Sequence, residues 1–564
     1  MEIRFLGPLG KVTGSCTWMR DKTRNWNFLV DCGMQQGELT AAQWNQSNWP
    51  FVPADLKFVV LTHAHIDHCG LLPALYKQGF DGTVFCTKET RDLAIILLKD
   101  AACFPDAIFT KADVDKIKWH EPGKPPLLGG WHSVDNDLRL RFFRSGHVMG
   151  SVSVSIHWGP QGAQQSIAFS GDLGPSYEEA EHLPFIRFNM HPDPCDFAVI
   201  ESTYGGVTRT LEEQDAELRR NRLRALIDRA IEQQGTLMIP AFSLGRTQDV
   251  LFDLHWIVAE NPAKYEVVNF LFDSPAASKM HPILFEGLSR SQSNGKHGKV
   301  RPLWLGKQLF RWLGLDDKEP AHIRRAMEIV AMTFGLEHQR EAEVSELGNG
   351  VARNWKPIMR KVKDRFALFE NGVPNPSVIV VSSGSCDGGP ASAWLPKLLG
   401  SANNTIALSG YCSPTSIGGE LIDLKDVSIS ERTRCSGALQ WSTENTFAKS
   451  EIRASVEVLT GYSAHADQSG LLNWLFKGYP SDVKLAANTV FIQHGTDNQR
   501  RALRDAAMQR AQESGRPISL VSPDSPTQWF DLDRGALSIG KEEKRRQLEE
   551  EHERIRREME ELDA

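Results

Sequence analysis

Over the first 205 positions the apolar residues come in runs of four to eight, several alternating with polar ones. RFLG, NFLVDCG, FVVLTH, TVFCT, LRLRFF, SVSVSIHW, QSIAFSGD and DFAVIES read as short strands closed by turns. Helical spacing is confined there to 69–78 and 88–101, which predicts two sheets with interleaved helices. From 206 the pattern changes. ELRRNRLRALIDRAIEQQG (217–235) is an amphipathic helix with its Gly at the C-terminal cap. TLMIPAF then reads as a buried strand, and a second helix starts near GRTQDVLFDLHWIVAE. VVNFLFDSP, PSVIVVSSGS and NTIALSGY continue the alternation, so an α/β domain with a mostly parallel sheet is expected. RASVEVL and NTVFIQHG, with helical LLNWLF between, mark a return to the first pattern. The predicted division is 1–205, a domain at 206–440, a completing part of the first domain at 441–535, and a charged helical tail at 536–564.

Composition narrows the class. With 564 residues, two or three domains are expected. No run of 18 apolar residues occurs, so no membrane span is predicted. The first residues lack the basic and apolar regions of a signal peptide, and a cytoplasmic location is the default. Nine cysteines, odd in number and without a CxxC pair, argue for reduced thiols over a disulfide scaffold or a cysteine-held zinc. A net charge of −7 gives no overall basic footprint, so a polyanionic substrate would need a local groove and bound cations. In the tail, Leu548, His552, Ile555, Met559 and Leu562 fall on a thin heptad seam, which leaves a solvated helix and a short coil closing a homodimer both open.

The densest chemistry is LTHAHIDHCG (61–70), where His63, His65, Asp67 and His68 follow the apolar run KFVVL. Alternate residues of an extended loop point the same way, so His63 and His65 can grip one ion while Asp67 and His68 face a second. Imidazole mixed with carboxylate suits zinc, and Mn²⁺ or Fe²⁺ by ligand type. Further ligands should come from other strand ends: His147 in FRSGHVMGS, Asp172 in IAFSGDLG and His494 in VFIQHGTDN, each beside a Gly. Asp31 in NFLVDCG is an acceptor suited to orienting a ligand histidine.

HAHIDH with Asp31, His147 and Asp172 resembles the metallo-β-lactamase superfamily. ESTYGG (201–206), IPAFSLGRTQ (239–248), LSGYCSPTSIGGEL (408–421), YSAHAD (462–467) and IQHGTD (492–497) resemble its β-CASP branch of nucleases. The resemblance implies an αββα sandwich with an inserted β-CASP α/β domain, and two zinc ions. His63, His65 and His147 would hold one ion; Asp67, His68 and His494 the other; Asp172 would bridge them. It implies that Glu201, His465 and His494 occupy the branch's three motif positions, and a histidine at the third is the form found in RNA-acting members. The expected activity is two-metal hydrolysis of phosphodiester bonds by a bridging hydroxide, in single-stranded RNA in preference to DNA. His465, oriented by Glu201, would protonate the leaving oxygen. A DNA nuclease of the same fold, a small-substrate metallo-hydrolase and an inactive RNA-binding scaffold are the alternatives. Ser243, Arg246, Ser383, Gly384, Ser409, Gly410 and Ser463 are the expected phosphate contacts. SSGSC and DCGMQQG depart from the branch's usual residues away from the ligand positions, which bears on the choice of substrate.

Overall fold

The computed structural model describes residues 1–532 except 36–43, 45–47, 105–106, 121–127, 161–162, 176–181, 186–190, 295–298, 338–340, 443, 477–488 and 516–517. The tail and its heptad seam lie outside the described residues.

Two seven-stranded sheets carry the first pattern. One runs in spatial order Phe530–Asp531, Glu2–Phe5, Thr17–Asp21, Trp26–Val30, Phe58–Val60, Thr83–Phe85 and Lys118–Trp119. The other runs Ser519–Val521, Thr489–Ile492, Phe197–Ile200, Gln165–Phe169, Val152–Trp158, Leu138–Arg144 and Trp131–Asp135. Their facing side chains make one core, in which Phe28, Val30, Phe58 and Val60 meet Phe142, Val154, Phe169 and Val199. Alternation along each strand sends its other residues to the helices outside. Val59 packs with Leu72, Leu75 and Leu93, while Ala198 and Ile200 pack with Leu471, Trp474 and Leu503. The result is an αββα sandwich. Both faces of the strand are covered, which is why FVVL and FAVI read as unbroken apolar runs.

The second pattern forms a six-stranded parallel sheet, ordered Arg360–Lys361, Asn269–Asp273, Ser377–Val381, Thr236–Pro240, Thr405–Leu408 and Ser455–Val458. Helices cover both its faces. Ser455–Val458 pairs with Thr405–Leu408, so the chain leaves this sheet after 458 and not near 440. The helix predicted over 217–235 is Ala216–Gln233, begun by the Asp215 carboxylate accepting from Glu217 and Leu218 N–H. Its left-handed closing residue is Gln234 (φ 49°) and not Gly235, whose bare Cα instead lies against the Asn403 carbonyl. The helices expected at 69–78 and 88–101 are Ile66–Cys69 followed by Leu72–Lys77, and Lys88–Ala101.

Candidate metal centre

The C-terminal ends of four parallel strands open on one place. His63 follows Phe58–Val60, Asp172 follows Gln165–Phe169, Glu201 follows Phe197–Ile200, and His494 follows Thr489–Ile492. His65 sits at the extended N-cap of the one-turn helix Ile66–Cys69, which swings Asp67 and His68 away from it. His147 stands in the loop after Leu138–Arg144, between Gly146 (φ 78°) and Gly150 (φ 92°), where the backbone turns left-handed.

These side chains fall into two groups, His63, His65, His147 and Asp172, and Asp67, His68 and His494. Within each, the ligating atoms lie within 4.8 Å of one another. His65 Nδ1 is 3.2 Å from His63 Nε2 and 3.1 Å from His147 Nε2. Asp172 divides its carboxylate between the groups. Its Oδ2 faces His63 Nε2 at 3.6 Å and His147 Nε2 at 3.7 Å. Its Oδ1 faces His68 Nε2 at 3.3 Å and His494 Nε2 at 3.4 Å. Asp67 Oδ2 closes the second group, 3.8 Å from His494 Nε2. Among the described residues, the buried His68 Nε2, His494 Nε2 and Asp172 Oδ1 have no hydrogen-bond partner. Buried polar atoms without partners are costly. Three of them converging in an imidazole and carboxylate set are the donors a divalent cation takes.

Neighbours fix the rings. Asp31, held at φ 59°, accepts from the Thr62 N–H and hydroxyl and lies 2.8 Å from His68 Nδ1, leaving Nε2 for the site. The Ala464 carbonyl does the same for His147 Nδ1 at 3.2 Å. Burial pushes the His63 and His147 pKa values well below the usual range, and lowers His65. Their rings are therefore neutral, the form that binds a cation. Burial opposes the charge of Asp172, yet the neighbouring His494 and His68 hold its carboxyl well below the carboxylate range.

His465 lies beside this centre, its ring 4.3 Å from that of His147 and a fifth of its side chain exposed. Its Nδ1 is 3.3 Å from Glu201 Oε1, and its Nε2 is 4.0 Å from Asp172 Oδ2. Burial works against charge on this ring; Glu201, then Asp172 and Asp67, outweigh it and raise the pKa. Glu201 also accepts from the Leu173 and Thr203 N–H groups, so one buried carboxylate ties the Asp172 loop to His465.

The expected phosphate contacts divide. Ser463 accepts from the His465 N–H and shapes that loop. Ser409 is buried with its hydroxyl donated to the Pro240 carbonyl, so an anion there would meet main chain only. Ser383 and Ser385 share a hydrogen bond; Ser243 stands in the loop after Thr236–Pro240, and Arg246, which opens the helix Arg246–Glu260, donates to the Ser409 carbonyl. Gly384 and Gly410 both lie against Phe242. The sequence reading missed Arg209, which donates to the His465 carbonyl and lies 4.9 Å above the Tyr204 ring. A single arginine in a polar loop carries no periodicity; its place three residues past ESTYGG was the one available signal.

Residues 9–232 match the family model of the metallo-beta-lactamase superfamily, 247–421 that of the Beta-Casp domain, and 449–520 that of the Zn-dependent metallo-hydrolase RNA specificity domain. The chain is similar to Ribonuclease TTHA0252 of Thermus thermophilus, 28% identical over 516 residues that cover 91% of this chain and 97% of that one. It is 25% identical over 488 residues to the transcription termination factor FttA of Methanococcus maripaludis, covering 84% of this chain and 65% of that one. With FttA of Methanocaldococcus jannaschii the figures are 25% over 510 residues, 88% and 67%. The chain thus spans about two thirds of the length of these archaeal relatives. Three matched domains follow one another along the sequence and both sheets deliver their strand ends to this centre: the chain belongs to the metallo-β-lactamase superfamily, in its β-CASP branch.

Proposed function

We propose that this chain is a zinc-dependent ribonuclease of the cytoplasm that hydrolyses phosphodiester bonds in single-stranded RNA. The observation that carries the reading is the division of Asp172, one oxygen toward each group of ligands, with the Glu201–His465 pair alongside. His63, His65 and His147 would hold one zinc and Asp67, His68 and His494 another, with Asp172 between. Ions bound there supply Lewis acidity, making hydroxide available near neutral pH and offsetting charge on phosphoryl oxygens. The chain's own residues do the rest. Asp31 and Ala464 hold the ligand rings so that Nε2 faces the centre. Glu201 anchors Nδ1 of His465, leaving Nε2 to carry a proton toward the leaving oxygen. RNA is favoured because His465 and His494 fall within the segment that matches an RNA specificity domain, and because the relative matched over nearly its whole length is named a ribonuclease.

Labelled single-stranded RNA and DNA, incubated with zinc and with chelator, test the reading. RNA is expected to be cut and chelator to stop it; faster cutting of DNA, or cutting that survives chelation, overturns it. His465→Ala should keep its zinc, measured by elemental analysis, while kcat falls by about 10²–10⁴. Retained turnover would remove His465 as proton donor.

A further inference from the structure

The parallel sheet of the second domain ends in three loops, 241–245, 382–388 and 409–416, and the first of them reaches the metal centre. A Cβ on Gly245 would stand 3.2 Å from Val148, the neighbour of His147. Across the other two loops lies Phe242. A Cβ on Gly384 would meet its N at 2.8 Å and its ring at 3.0 Å, and one on Gly410 would meet the ring at 3.2 Å. The ring is therefore seated on two glycine backbones, and side chains at either position would lift it. Yet Phe242 is 39% exposed, although it follows a strand whose residues are all buried. An aromatic held by backbone on one side and partly open to solvent is a candidate stacking surface.

Two guanidinium groups stand nearby, Arg246 beside Gly410 and Arg209 beside His465. Arg246 donates to the Ser409 carbonyl next to Gly410, and Arg209 donates to the His465 carbonyl. Among the described residues neither has a carboxylate within ion-pairing distance, and the buried Nη2 of Arg209 has no hydrogen-bond partner. Guanidinium groups close together and not locked into an ion pair, next to an open ring, suit the alternating phosphates and bases of a single strand.

Resting on the ribonuclease reading, we infer that Phe242 stacks one base of the bound strand while Arg246 and Arg209 hold the phosphates between that base and the scissile bond. The stacked base need have no particular identity, since every base has a π face. The site thereby sets where the strand lies, not which sequence it carries.

An abasic scan tests this. The wild-type chain with zinc cleaves a single-stranded RNA whose cut is mapped by product length, then a series of oligomers each lacking one base at successive distances from that cut. One position is expected at which losing the base raises KM about ten-fold or more. In Phe242→Ala the intact RNA should show the raised KM and the same abasic position should add less than about two-fold, while Phe242→Trp restores the sensitivity. A scan with no sensitive position, or a sensitive position unchanged in Phe242→Ala, overturns the inference while RNA cleavage stands. A wild-type chain that cuts no RNA removes the ribonuclease reading and this inference with it.

Discussion

Asp249 shows how far one carboxyl can be shifted beside this cleft. It is buried in the helix Arg246–Glu260, and burial pushes its pKa up to about 7 against the pull of Arg219 and Arg246. An aspartate in water ionises near 3.8, so between these values the folded chain keeps a proton that the unfolded chain has released. Stability therefore falls as pH rises through that window. Thermal melts of Asp249→Asn and wild type should differ least at or below about pH 4 and separate progressively up to pH 8, with the variant the more stable. A wild type that is equal or more stable at pH 8 contradicts this. Asp172 is the opposite case: its carboxylate is kept ionised by the imidazoles it divides, so charge there is a property of the assembled site.

At the scale of elements, the site is a set of loops pressed together by main chain. Residues 31–34 are stitched to 66–68: Cys32 N–H donates to the His68 carbonyl and Met34 N–H to that of Ile66. Gly33 between them touches the Asp67 carbonyl so closely that a Cβ would overlap it. Gly33→Ala should therefore lower both the thermal midpoint and the zinc affinity, the latter about 10-fold or more, as for loss of a ligand's supporting contacts. Unchanged zinc binding in a competition titration would show that the two loops move independently. That these seven side chains would converge was legible in the sequence because each is a polar residue near the end of an apolar run, beside a turn. The sheet joined by Ser455–Val458 was not, since a four-residue buried strand reads the same in either sheet. Nor was the seat of Phe242, which is made by Gly384 and Gly410 from two distant loops. The helix end at Gln234 was displaced by one residue because Gly235 is required by a neighbour and not by its own backbone angle.

Across the whole molecule, a buried ion pair inside the second domain ties it to the first near the site. Arg219, on the helix Ala216–Gln233, donates through Nε and Nη2 to Asp253 at 2.7 and 3.1 Å and through Nη1 to the carbonyls of His182 and Gly461. Tyr462 donates its hydroxyl to the same Asp253 at 2.9 Å, three residues before His465. Arg219→Met would leave the buried Asp253 only the more distant Arg220 guanidinium, at 3.8 Å, at a cost of up to about 3–5 kcal/mol. Urea unfolding should show that loss and the double variant Arg219→Met/Asp253→Leu should recover most of it; a single variant within about 1 kcal/mol of wild type would show the pair to be dispensable. The parallel pairing of Thr489–Ile492 with Phe197–Ile200 has a consequence for the order in which the chain is made. Translation delivers six of the seven candidate ligand side chains early, and His494 only after the entire inserted domain. In a nascent chain the second group of candidate ligands therefore stays incomplete until the last of these strands has left the ribosome and docked.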